Sequence, residues 1–159
     1  MKQTIIKLVV SLGLTFLAPM VGSLFTTRQA VSSWYANLNK PFFTPPGWVF
    51  GPVWTLLYAL MAVAAFLVWQ KGLNSPAVRI ALTLFVIQLI LNALWTPLFF
   101  GLRMPLVALI EILMLWAAIL VTTVAFAKVS VTASLLLVPY LLWTSFATVL
   151  NAAIWLMNR

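Results

Sequence analysis

The chain contains no cysteine and no histidine, and in 159 residues it carries a single acidic side chain, Glu111. These absences exclude a good deal of chemistry. Metal centres built from His, Cys or grouped carboxylates need several ligands, and at most one is present. Catalytic triads, thiolate nucleophiles and paired-carboxylate mechanisms fail on the same count. With no thiol to oxidise, cysteine usage says nothing about redox compartment. Charge is scarce as well: 6% of residues are Asp, Glu, Lys or Arg, against about 25% in a soluble globular domain.

What is there is apolar and aromatic. Hydrophobic residues make up 65% of the chain and aromatic residues 14%, with a mean hydropathy of +1.15. Such a chain reads as an integral, multi-pass membrane protein with room for one domain, 1–159. The net charge of +8 comes from Lys and Arg scattered singly through the connections. Without a basic stripe they read as anchors at anionic headgroups, and no nucleic-acid partner is expected. The N-terminus has Lys2 and Lys7 ahead of an apolar run from Leu8 to Phe25. That run is longer than a signal-peptide core and lacks a clean cleavage site, so it is read as a retained first span.

A bilayer core about 30 Å thick needs roughly 20 apolar residues per helix. Five segments qualify: 5–25, 48–70, 79–101, 105–127 and 132–156. Lys71 to Pro76, Gly101 to Pro105 and Lys128 to Ser130 separate the later spans, with Pro105 suited to a first helical turn. Short connections make neighbouring helices antiparallel, so the expected fold is an all-α, up-and-down bundle of five transmembrane helices. The Lys and Arg split five to four between the two sides, which does not decide orientation.

One connection is long. Segment 26–47 holds Trp34, Tyr35, Asn39, Lys40, Pro41, Phe42, Phe43, Pro45 and Pro46. A flexible linker would be rich in Ser and Gly. An aromatic, proline-stiffened loop is either a lid over a site or an interfacial belt, and the clustering of aromatics between prolines favours the lid.

Three spans carry polar and aromatic residues at helical spacing. Trp54 and Tyr58 share a face of the second. Gln88, Asn92, Trp95 and Phe99 form a stripe on the third, and Tyr140, Trp143, Ala147 and Asn151 form one on the fifth. Amides are costly in hydrocarbon, so Gln88 and Asn92 should face protein or a cavity. The stripes fit either plain helix packing or a shared small-molecule pocket walled by rings. Pro19, Pro97 and Pro139 lie within spans one, three and five, where each permits a kink that widens the interior. Glu111, about 9 Å inside the fourth span, reads either as a proton-carrying or ligand contact or as a neutral carboxyl between helices. The structural reading is favoured, because no second acid or histidine is present to relay a proton.

Longer stretches carry a resemblance. Trp34-Tyr35-Ala36-Asn37-Leu38-Asn39-Lys40-Pro41 and Pro45-Pro46-Gly47-Trp48 through Trp54-Thr55-Leu56-Leu57-Tyr58 are followed by Gln88 and Asn92-Ala93-Leu94-Trp95-Thr96-Pro97-Leu98-Phe99-Phe100-Gly101. Val138-Pro139-Tyr140-Leu141-Leu142-Trp143 and Ala147-Thr148-Val149-Leu150-Asn151 close the pattern. The chain resembles the TspO/MBR family, that of the translocator protein or peripheral-type benzodiazepine receptor, over nearly its whole length. The resemblance implies a five-helix bundle that commonly forms a homodimer. It implies a pocket under the first long loop that takes tetrapyrroles such as protoporphyrin IX, and in animal members cholesterol and drug-like ligands.

By matching motif, the ligand-binding residues it implies are Trp34, Asn39, Trp54, Tyr58, Asn92, Trp95, Trp143 and Ala147, beside Gln88 and Tyr140 from the stripes. Bacterial members are linked to light-dependent porphyrin breakdown, which implies a catalytic part for Trp54 and Trp143. Glu111 falls where the family often has a fourth-helix acid. The cholesterol-recognition tyrosine of animal members is absent after Asn151, and Arg159 is the only basic residue left there. The expectation is therefore a tetrapyrrole-binding membrane protein with no obligatory cofactor and no metal. Asn39, Lys40 or Asn92 would meet the propionates. A porphyrin or sterol transporter is the alternative. Without His or Cys for axial ligation, a free-base porphyrin suits the chain better than a ligated haem.

Overall fold

The structure, a computed structural model, describes residues 2–25 and 30–159, without the side chains of 30–32. Positions 26–29, where the long connection begins, lie outside the described residues. Five helices carry the fold: α1 (Lys2–Ser23), α2 (Gly47–Gln70), α3 (Pro76–Thr96), α4 (Pro105–Ala127) and α5 (Val131–Met157). All five are long and apolar enough to cross a membrane. At 1.5 Å per residue the shortest, the 21-residue α3, is about 32 Å, enough for a hydrocarbon core of about 30 Å.

The helix starts follow from local chemistry. Pro76 and Pro105 each open a helix, where the missing N–H has no intrahelical partner to lose. For α3 this moves the start three residues ahead of the expected 79, because Pro76 begins the helix instead of ending the connection. Ser130 caps α5 by accepting from the Ala133 N–H at 3.3 Å. At the other end of α3, Pro97 cannot continue the ladder, and Pro97–Gly101 widens into a π-helical turn closed by Leu102 N–H donating to the Pro97 carbonyl at 2.8 Å.

Packing contacts place the helices around the bundle in the order α1, α2, α5, α4, α3, with α3 closing back on α1. Gly22 permits the last contact: a Cβ there would sit 3.3 Å from Thr96 Oγ1. The core includes Met61, Val68, Ala81, Leu115, Ile119, Phe126 and Leu137. Outward faces carry Ile5, Val9, Ile90, Ile110, Leu113, Leu135 and Leu142, all exposed. Apolar residues on both the inside and the outside are the signature of helices solvated by lipid. The protein is an integral, multi-pass membrane protein.

The described part of the long connection is not featureless. Ala30–Tyr35 forms a wide helical turn. From there the chain crosses the bundle end where α3 and α5 finish: Trp34 packs edge-on to Phe99 at 5.6 Å, and Asn39 pairs with Asn158.

Candidate functional site

The sequence-selected residues fall into three touching groups. The first is interior. The Tyr58 hydroxyl donates to Asn92 Oδ1 at 2.6 Å, and Asn92 Nδ2 donates to the Tyr140 hydroxyl oxygen at 2.9 Å. One amide on α3 thus joins phenols from α2 and α5, and all three side chains are buried. Trp54, one turn before Tyr58, stacks on it at 5.4 Å and 28°, and meets Tyr140 edge-on at 6.2 Å. Phe16 of α1 closes the other side of Tyr58 at 5.9 Å. The interior at this level is therefore filled by rings and one amide.

The second group lies nearer the loop. Trp95 stacks on Phe99 at 4.9 Å and 18°, and its indole donates to Asn151 Oδ1 at 3.0 Å. Asn151 Nδ2 in turn donates to the Pro105 carbonyl at 2.8 Å. That carbonyl belongs to the first turn of α4, so the bond ties α3, α4 and α5 together. Trp34, Tyr35 and Phe50 pack against the same cluster.

The third group flanks a groove of about 420 Å³ between α2 and α5, lined by Val53, Leu56, Leu57, Pro139, Leu142, Trp143 and Phe146. Small-molecule sites are mostly apolar and occupy roughly 300–1,000 Å³. Trp143 lies between Phe50 at 5.9 Å and Phe146 at 5.5 Å, and its indole nitrogen is buried with no acceptor among the described residues. Phe43 of the loop reaches Phe146 at 6.3 Å.

The fifth-helix stripe is therefore split. Tyr140 and Asn151 face the interior, whereas Trp143 stands at the groove and Ala147, half-buried, packs on the core. Gln88 is buried, and neither of its amide atoms has a partner among the described residues. Glu111 is buried on α4, and neither carboxyl oxygen has a partner among the described residues.

The residues expected at propionates have other partners. Asn92 has both of its amide atoms engaged by the two phenols. The Asn39 N–H donates to Asn158 Oδ1 at 2.9 Å, and Asn158 Nδ2 returns a bond to the Asn39 carbonyl at 2.8 Å. Lys40 Nζ donates to the carbonyls of Tyr35, Ala36 and Leu38 at 2.7–3.1 Å, and lies 4.8 Å from the Tyr35 ring centroid. It closes the end of the helical turn as a cation at its carbonyl end. Burial pushes the Tyr35 phenol above its ordinary range.

Phe50, Phe146 and Asn158 were not singled out from sequence. Phe146 had a signal, standing three residues beyond Trp143 on the same helical face. Asn158, 119 residues from its partner, had none.

Fold and site define a five-span membrane protein with an apolar groove, flanked by Trp143 and Phe146, in the half of the bundle nearer the 30–46 segment. The profile of the TspO/MBR family matches residues 10–156, and the chain belongs to that family. It is 47% identical over 156 residues to the Tryptophan-rich protein TspO of Archaeoglobus fulgidus, covering 98% of this chain and 99% of that one. The human Translocator protein is 44% identical over 141 residues, covering 87% and 82%. The Tryptophan-rich sensory protein of Cereibacter sphaeroides is 42% identical over 143 residues, covering 89% and 87%.

Proposed function

We propose that the protein binds a tetrapyrrole of the protoporphyrin IX type against Trp143 and Trp54, beneath the aromatic loop. The observation that carries this reading is Trp143: an indole with an unspent N–H, held between two phenylalanines on the wall of an apolar groove. A large flat apolar ring gains from stacking on such faces. Trp54, backed by Tyr58 and Tyr140, supplies a second indole that is held rigidly. Asn92 has both amide atoms engaged by the two phenols, so on this reading it braces Trp54 through Tyr58. In light, one electron passes from an indole through the excited ring to dioxygen, leaving an indole radical cation and superoxide. A second copy of the chain completes a homodimer.

The test is the absorption spectrum of protoporphyrin IX during titration with purified protein in nanodiscs. Saturable, one-to-one red-shifted binding that a sterol does not displace supports the reading. Displacement by sterol with no spectral change contradicts it. Labelled porphyrin flux into proteoliposomes separates a translocator from a binder.

A further inference from the structure

A second groove lies on the outer face of α3, towards the end of the bundle opposite the 30–46 segment. It has a volume of about 430 Å³ and is lined by Leu73, Arg79, Leu82, Thr83, Val86 and Ile87. None of these residues lines the groove between α2 and α5. The five from α3 recur at helical spacing and share one face. The rotation of α3 is fixed by its other face, where Val78, Ala81, Phe85 and Gln88 are buried. The groove is therefore turned to lipid. From Arg79 to Ile87 it descends about 12 Å along the helix axis.

Arg79 stands at the shallow end of this groove, in the first turn after Pro76. Its Nη1 donates to the carbonyls of Leu73 at 3.0 Å and Asn74 at 3.3 Å, which pins the guanidinium at the groove mouth. Nε and Nη2 have no acceptor among the described residues. No acidic side chain is at hand to supply one, because the only Asp or Glu in the chain is Glu111, buried on α4. Lys71 and Lys128, which close α2 and α4 at the same end, add further positive charge. A forked cation at headgroup level, opening onto an apolar channel that descends into hydrocarbon, matches a phosphate with an acyl chain attached. A second copy packed on this face about a two-fold axis would set Arg79 near Arg79 with no acid between them. We propose that the groove holds one anionic phospholipid, its phosphate on Arg79 and an acyl chain along Leu82, Thr83, Val86 and Ile87. The site does not depend on which ligand the α2–α5 groove takes.

The test is native mass spectrometry of the protein ejected from nanodiscs of equal phosphatidylglycerol and phosphatidylcholine. One phosphatidylglycerol should stay with each chain in preference to phosphatidylcholine. Its retention should fall about fivefold in Arg79→Gln, the worth of one cation at an anionic surface. Thr83 is exposed, so Thr83→Trp fills the groove while leaving Arg79 and its carbonyl bonds in place, and it should lower retention as far. Lys71→Gln, at the same end but outside the groove, should leave retention unchanged. Equal retention of the two lipids overturns the proposal. So does an equal loss in Lys71→Gln, which shows attraction to the whole charged end and no site. Retention unchanged in Thr83→Trp overturns the groove. A lipid-free dimer that Thr83→Trp dissociates assigns the face to a second copy and overturns the proposal as well.

Discussion

Tyr58 and Tyr140 stand on helices α2 and α5, yet a single amide, Asn92 of α3, holds both, accepting from one at 2.6 Å and donating to the other at 2.9 Å. Three helices are locked at one level by two bonds. Replacing Asn92 by Leu leaves two buried phenols short of a partner, at about 1–3 kcal/mol for each unsatisfied group. The thermal midpoint in detergent should fall well below that of Tyr58→Phe, which removes one bond. A double-mutant cycle of Tyr58→Phe with Asn92→Leu should be strongly non-additive, because both changes break the same contact.

Trp95→Phe keeps a ring on Phe99 but orphans Asn151 Oδ1, in a residue 1% exposed. The expected loss is about 1–3 kcal/mol. Because Asn151 also holds the Pro105 carbonyl, hydrogen exchange should rise in the first turn of α4.

Asn39 and Asn158 exchange two bonds at an exposed end of the molecule. Asn158→Ala should therefore change global stability by no more than about 1 kcal/mol. Its effect should be local, with faster proteolysis and exchange in 36–46 and little change in the helices.

Tyr35 gives the pH dependence. Its phenol is held above the usual value of about 10 by burial. A raised folded-state value favours the neutral form, so the stability it contributes is complete below about pH 10 and is lost as pH rises through the folded-state value. Alkaline unfolding of Tyr35→Phe in detergent should be less steep than that of wild type; identical curves would exclude this contribution.

The helices were legible because uncharged runs of sufficient length leave a chain few other options in lipid. Gln88 and Asn92 were legible as interior residues because an amide facing hydrocarbon is costly. Their partners were not. Joining Tyr58, Asn92 and Tyr140 requires the rotation of three helices, and the order α1, α2, α5, α4, α3 is set by packing, not by the short connections. Lys40 was expected at a ligand because a lone cation in an aromatic loop looks available, yet three nearby carbonyls occupy it. Phe146 was passed over because the stripe through Trp143 was followed to Ala147, four residues on. The loop's pairing with Asn158 left no local trace, since the partners are 119 residues apart.

The central claim is that a tetrapyrrole lies on Trp143 and Trp54. The most direct test is quenching of tryptophan fluorescence on titration with protoporphyrin IX, comparing wild type with a Trp54→Phe, Trp143→Phe double variant whose fold is checked by thermal melting. Loss of stacking on the two indoles should weaken binding at least tenfold, equivalent to about 1.4 kcal/mol. An unchanged affinity in a folded double variant would contradict the account.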